Sequence, residues 1–114
     1  MANKADILFD KTEIVVQISA KQAMSMNIRA EDIVSISIHP FKEKKLFKTV
    51  ESEVIVLKPK KFPMPMAISR GMIEANKKSA GWDQIKASME KFAKDNKISF
   101  AHETDYYEMP KFDM

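Results

Sequence analysis

The stretch EIVVQISA, residues 13–20, decides the fold class. Ile14, Val16 and Ile18 fall on one face of an extended chain, whereas Glu13 and Gln17 fall on the other. Successive side chains of a β-strand point to opposite sides, so this alternation predicts a strand in a sheet that buries one face. The first half of the chain is therefore expected to be mainly β.

The same period of two continues on both sides of this stretch. Residues 6–9 form a shorter apolar run, and Asp10-Lys11-Thr12 between the two runs is typical of a tight turn, which predicts a hairpin. The strand predicted at 34–38 is expected to end at Pro40, because proline has no backbone N–H to donate. A turn is predicted at 42–45, and an irregular segment at 59–65, where three prolines lie. Further strands are predicted at residues 24–28, 46–50, 53–58, 66–69 and 98–102.

From residue 82 the hydrophobic period becomes helical. Four apolar residues are spaced three, four and three apart, which places them on one stripe of a helix. We expect an amphipathic helix over 82–95, with Gly81 as its N-cap and Asn96 in the left-handed conformation after its last turn. Residues 70–78 permit a short helix capped by Ser69. The stripe consists of Trp82, Ile85, Met89 and Phe92.

Composition excludes several classes of site. The chain has 114 residues, the size of one domain, and no cysteine, which excludes disulfides and zinc-thiolate centres. Its two glycines, Gly71 and Gly81, are too few for a phosphate-binding loop. We therefore expect no cofactor. The longest apolar run, 54–57, is too short to span a bilayer, and the charged N-terminus does not resemble a secretion signal, so we expect a cytoplasmic protein.

Positive charge is concentrated in the middle of the chain. Residues 39–61 contain seven lysines against three glutamates, whereas the end of the chain is acidic. Clustered lysines raise the local potential and predict a site for phosphates or an anionic surface. The alternative is that they keep loops solvated and protect an edge strand from pairing. The predicted anion-binding residues are Lys42, Lys44, Lys45, Lys48, Lys60 and Lys61.

The segment IRAEDIVSI, residues 28–36, combines the end of one strand, an acidic turn and the start of the next strand. Together with the helix at 82–95, this Glu-Asp-Ile step resembles the bacterial pleckstrin-homology-like domains. The resemblance implies a single domain over residues 1–102: an antiparallel barrel of about seven strands, capped by one C-terminal amphipathic helix. It also implies a scaffold that binds proteins, peptides or further copies of itself. For the acidic tail, residues 103–114, we expect either flexibility or docking on a neighbour.

Enzymatic chemistry finds little support in the sequence. His39 is predicted on the same strand face as Ser35 and Ser37, but a nucleophilic serine also needs an orienting acid and an oxyanion site, and no nearby residue indicates either. The histidine and carboxylates of residues 102–105 alternate across a strand, which disfavours a shared metal. We therefore predict neither an enzyme nor a metal site.

A partner surface is predicted where methionines alternate with prolines. Phe62, Met64 and Met66 are the predicted partner-binding residues, although the same strip could instead pack over the sheet. Met24 and Met26 are assigned to the core. The expected function is a non-enzymatic module that binds a protein partner or a second copy. The alternative is a phosphate-directed binder of nucleic acid or of an anionic membrane, through the Lys-rich middle segment or a helix-turn-helix over 70–95.

Overall fold

A computed structural model describes residues 4–19, 23–44, 46–61 and 65–108 of the chain. Over these ranges the protein is mainly β, as expected, with seven strands and two α-helices. No helix in these ranges is long and apolar enough to cross a bilayer. The elements are β1 (Lys4–Phe9), β2 (Glu13–Ser19), β3 (Ala23–Arg29), a 3-10 turn (Ala30–Asp32), β4 (Ile33–Lys44), β5 (Thr49–Pro59), β6 (Met66–Ser69), α1 (Arg70–Ala75), α2 (Trp82–Asp95) and β7 (Ser99–His102).

The strands form two sheets, and the predicted closed barrel is not found among the described residues. The first sheet has the antiparallel order β1-β2-β3, and the second has the order β6-β5-β4-β7. The 3-10 turn at 30–32 carries the chain from one sheet into the other, so β3 and β4 do not pair. The prediction of antiparallel order throughout is also wrong, because β7 returns after α2 and lies parallel to β4.

The hairpin of β4 and β5 is longer than predicted. β4 does not end at Pro40 but continues to Lys44, and β5 contains the strand predicted at 53–58 together with only the last two residues, 49 and 50, of the strand predicted at 46–50. The carbonyl of Pro40 accepts a hydrogen bond from the backbone N–H of Tyr107 at 2.9 Å. The nitrogen and the carbonyl of a strand residue point to the same side, so the nitrogen of Pro40 also faces away from β5. The missing N–H therefore removes no hydrogen bond from the β4-β5 ladder. The connecting turn comes after Lys44, and Leu46 and Phe47 lie in it.

The helix predicted over 82–95 is confirmed with those bounds, and its predicted stripe is buried. The C-terminal end differs in detail: Lys97, not Asn96, has a positive φ of 57°. The side-chain amide of Asn96 donates to the carbonyls of Phe92 and Lys11, each at 2.9 Å. Asn96 thus caps the helix and ties it to the β1-β2 turn, and the chain reverses one residue later.

The other predicted short elements are also present. β6 covers the predicted residues 66–69, and α1 begins after Ser69, whose hydroxyl accepts from the backbone N–H of Met72 at 3.3 Å. α1 ends at Ala75, earlier than the predicted limit of residue 78. The start of the predicted acidic tail lies along β4, since the backbone N–H groups of Glu103 and Tyr107 donate to the carbonyls of Ile38 and Pro40.

Candidate functional site

An apolar groove of about 610 Å³ lies where the two sheets separate. Its walls come from β3, from the start of β4, from the end of β5 and from the chain entering β6. Polar side chains are few in it. The described lining residues are Met26, Asn27, Ile28, Asp32, Ile33, Leu57, Pro59, Lys61, Pro65 and Met66.

Strand alternation explains the apolar character of the groove. Met26 and Ile28 lie opposite Val16 and Ile14 of β2, which are completely buried, and share their inner face of the sheet. They are only half-buried themselves, because β3 stands at the margin of its sheet. Met24, assigned to the core from the sequence, is 52% exposed. The side chains on this face of β3 are therefore less buried toward the start of the strand.

The outer edge of β3 is open in the described part of the chain. The backbone N–H of Ala30 donates to the carbonyl of Thr12 at 2.8 Å, which sets the phase of the β2-β3 ladder. Because hydrogen-bonded pairs alternate along antiparallel strands, Met26 and Ile28 bond to β2, while the backbone groups of Ser25 and Asn27 turn away from it. No described strand pairs with that side.

The predicted partner-binding residues are only partly accounted for. Met66 lines the groove, whereas Phe62 and Met64 lie outside the described residues. Ile28 and Leu57 also line this surface, although the sequence pattern did not predict it. A usable signal was present in residues 23–28, AMSMNI, a strand without any of the lysines that usually protect a sheet edge.

The six predicted anion-binding lysines do not form one patch. Lys60 and Lys61 follow β5 beside the groove, whereas Lys42, Lys44 and Lys48 lie toward the other end of the β4-β5 hairpin, and Lys45 is outside the described residues. The hairpin extends from the pair of residues 33 and 59 to the pair of residues 44 and 49. Its two ends are roughly 35 Å apart along the strand.

The distal end of this hairpin carries two exposed apolar side chains. Leu46 is 88% and Phe47 is 93% exposed. β6 pairs with β5 only over residues 54–57, and β7 pairs with β4 only over residues 35–38. The last five residue pairs of the hairpin therefore form a two-stranded ribbon that projects beyond the neighbouring strands.

Side-chain contacts brace the ribbon from two directions. The carboxylate of Glu43 accepts hydrogen bonds from the backbone N–H of Gly71 and from the hydroxyl of Ser52, both at 2.8 Å. The hydroxyl of Tyr106 donates to Glu51 at 2.8 Å, and the ammonium of Lys42 lies 4.9 Å from the centre of the Tyr106 ring. The bond to the Glu51 carboxylate raises the pKa of the Tyr106 hydroxyl.

A second carboxylate, Glu53, joins β5 to the start of α2. It accepts hydrogen bonds at 2.8 Å from the indole N–H of Trp82 and from the ammonium of Lys86. Burial by itself would raise the pKa of Glu53, but the bonds from Lys86 and Trp82 outweigh burial and hold that pKa below its usual value. Glu53 is therefore an anchor for the helix.

His39 contacts Ser37, one of the two serines predicted on its strand face. The Nε2 atom of His39 lies 3.0 Å from the hydroxyl of Ser37, and its Nδ1 atom lies 3.3 Å from the backbone carbonyl of Asp105. The ring of Tyr107 is 5.5 Å away, centre to centre. Both ring nitrogens of His39 thus have partners within the chain, and the contacts with Asp105 and Tyr107 fasten the 103–108 segment to β4.

Neither a metal site nor a match to a known protein adds to this description. In the ranges that the structure describes, no cluster of histidine and carboxylate side chains could hold a metal ion. Comparison of the chain with protein-family models, curated proteins and solved structures finds no match. The resemblance to pleckstrin-homology-like domains stays a prediction.

Proposed function

We propose that this chain is a non-enzymatic binding module whose groove receives an extended, apolar segment of a protein partner. The observation that carries the proposal is the edge of β3 directly beside the apolar groove, with which no strand of the described residues pairs. An added strand would satisfy the outward backbone groups of Ser25 and Asn27 and would place alternate side chains in the groove. Met66 acts as a partner-binding residue here, as the sequence predicted. The cytoplasmic location expected from the short apolar runs and the charged N-terminus, with which the absence of cysteine agrees, is part of the same proposal.

Charged residues at the rim of the groove can fix the direction in which a bound segment lies. Lys61 and Asp32 are the charged residues among its described lining, and they carry opposite signs. Backbone pairing supplies affinity without selecting a sequence, whereas the shape of an apolar groove and a few charges at its margin select one. We expect the preferred segment to alternate apolar and polar residues, because only every second side chain of an added strand faces the groove.

Peptide selection tests this function directly. A library of random peptides displayed on phage is selected against the purified chain, with counter-selection against the Met26→Glu, Met66→Glu double variant. We expect enrichment of β-prone peptides with alternating apolar residues, and slower hydrogen exchange of the Ser25 and Asn27 amides when a selected peptide is added. Met24→Glu is the matched control, because Met24 lies on the same strand but does not line the groove.

Two results would contradict the groove proposal. One is that the selected peptides bind the Met26→Glu, Met66→Glu variant as well as the wild-type chain. The other is that the Ser25 and Asn27 amides exchange at unchanged rates in the complex. If light scattering instead shows a dimer that dissociates on Met26→Glu but not on Met24→Glu, the groove is occupied by a second copy of the chain.

A second candidate function is contact of the distal hairpin with an anionic surface. Residues 44–49 contain three lysines and no carboxylate. Within the described ranges neither Lys44 nor Lys48 forms an ion pair. Affinity for any polyanion should then fall steeply as salt rises, because exposed charges are screened and bound counterions are released. Affinity that does not depend on salt would exclude this candidate.

A further inference from the structure

We propose that the tip of the β4-β5 hairpin docks on a membrane that contains anionic lipids, inserting Leu46 and Phe47 between the headgroups. This inference rests on the second candidate function and specifies which anionic surface the hairpin contacts. The tip is defined as residues 44 and 46–49, which lie within the described ranges. It is distinct from the groove, which lies at the opposite end of the same hairpin.

The exposed apolar pair distinguishes a membrane from other anionic surfaces. Leu46 and Phe47 are adjacent, and each exposes more than four fifths of its surface, at 88% and 93%. A nucleic-acid base can stack on the ring of Phe47, but a nucleic acid offers no apolar phase in which the aliphatic Leu46 could leave water. The boundary between headgroups and acyl chains offers one, and burial there is favourable in proportion to the apolar area removed from water.

The lysines of the tip are also suited to the headgroup region of an anionic membrane. Lys44 and Lys48 flank the apolar pair, and the nearest carboxylates, Glu43 and Glu51, are engaged by Gly71, Ser52 and Tyr106. A lysine has a long apolar stem, so its ammonium can stay at headgroup level while a neighbouring residue penetrates deeper. Near an anionic leaflet, each such lysine strengthens binding about fivefold.

The ribbon presents the tip in a suitable position. It extends roughly 15 Å beyond the paired strands, given the usual rise of a strand. The Glu43 contact with Gly71 and the Tyr106 contact with Glu51 hold the ribbon close to its tip, so the ribbon is positioned before binding. A membrane can therefore meet the tip while the groove remains open to a protein.

Vesicle sedimentation tests the proposal. The purified chain is mixed with vesicles of phosphatidylcholine alone, or of phosphatidylcholine with phosphatidylserine. We expect binding to the mixed vesicles only. The Leu46→Ser, Phe47→Ser variant should bind at least about tenfold more weakly, as expected from the apolar area that it removes. The single variant Leu8→Ser is the control, because Leu8 is 48% exposed and lies on β1, outside the hairpin.

Separate variants measure the contribution of the lysines to binding and the insertion of the tip into the membrane. Lys44→Glu with Lys48→Glu should abolish binding, whereas Lys77→Glu with Lys78→Glu, which changes net charge equally from the α1-α2 connection, should have a small effect. In the Phe47→Trp variant, tryptophan fluorescence should shift to shorter wavelength when mixed vesicles are added. The wild-type chain should show no such shift, because its single tryptophan, Trp82, is already buried.

The outcomes separate the inference from the function on which it rests. Salt-sensitive binding to mixed vesicles that survives Leu46→Ser, Phe47→Ser would overturn insertion but leave electrostatic contact standing. No binding to mixed vesicles or to duplex DNA at low salt would overturn both. Binding to DNA with no binding to vesicles would assign the lysines to nucleic acid. An oligomer in light scattering that the same double variant dissociates would assign the tip to a second copy and overturn membrane docking.

Discussion

Glu43 and Gly71 are joined by a hydrogen bond of 2.8 Å from the backbone N–H of Gly71 to the Glu43 carboxylate. This bond links the distal part of β4 to the first turn of α1, elements 28 residues apart in sequence. A β-carbon at position 71 would overlap the carboxylate group of Glu43. Glu43 keeps this position only while residue 71 lacks a β-carbon, since its carboxylate at the end of a flexible side chain would otherwise move away. Glycine in a helix interior is otherwise less stable than alanine by about 1 kcal/mol.

Replacing Gly71 by alanine should therefore destabilise the protein in spite of the better helix former. The displaced carboxylate loses a charge-assisted bond worth about 1.5–3 kcal/mol, while alanine returns about 1 kcal/mol of helix propensity. We expect the free energy of unfolding to fall by roughly 1 kcal/mol, measured by urea denaturation with Trp82 fluorescence. In a Glu43→Ala background the same substitution should become stabilising. If its effect is equal in the two backgrounds, the contact does not contribute.

Acid should weaken the contact of Glu53 with Trp82 and Lys86, which anchors α2 to β5. The folded-state pKa of Glu53 is lowered, so its stabilising contribution is fully present above the unfolded value of about 4.3 and is lost as pH falls through the folded value. Glu53→Gln should lower the free energy of unfolding near neutral pH by up to about 1 kcal/mol, because Glu53 and Lys86 are partly solvated. The difference from wild type should shrink below about pH 4. A difference that is constant over this range would exclude the ionic contribution.

Two methionines provide a matched test of burial. Met89 lies on the inner face of α2 and is completely buried, whereas Met24 is 52% exposed on β3. Met89→Ala should lower the free energy of unfolding by about 2–4 kcal/mol, because it leaves a cavity in the core. Met24→Ala should change it by less than about 0.5 kcal/mol. Equal losses at the two positions would show that Met24 packs in the core, as the sequence suggested.

Alkaline titration reports the contact between Tyr106 and Glu51. The hydrogen bond to the carboxylate raises the pKa of Tyr106, so one of the two tyrosines should ionise above the usual value of about 10. Glu51→Gln should return that transition toward 10, as followed by tyrosinate absorbance. A titration that Glu51→Gln leaves unchanged would mean that the 103–108 segment does not hold this position in solution.

The elements with a clear hydrophobic period were predicted correctly from the sequence. The helical stripe beginning at Trp82 defined α2 with its observed bounds, because an amphipathic helix of this length shows its period directly in the sequence. The β1-β2 hairpin and β6 were predicted for similar reasons. The strand predicted at 46–50 was wrong, because apolar residues at a hairpin tip have the same hydropathy as residues in a strand.

The candidate sites were predicted less completely than the elements. Met66 and Lys61 were identified as surface residues of interest, and both line the groove. The contributions of Ile28 and Leu57 could not be recognised, because they depend on how two sheets are placed and not on either strand alone. The lysines were assigned to one patch since they are close in sequence, but a long hairpin carries Lys44 and Lys61 toward opposite ends.

The sequence by itself determined most of the strands, the apolar stripe and the bounds of α2, and that positive charge is concentrated in the middle of the chain. Only the tertiary structure decided that the strands divide into two sheets, that β7 runs parallel to β4, and that one hairpin carries a groove at its base and an apolar, basic tip at its end. The reason is physical: side-chain alternation is a local property of the backbone, whereas strand pairing and sheet separation depend on contacts between residues far apart in sequence.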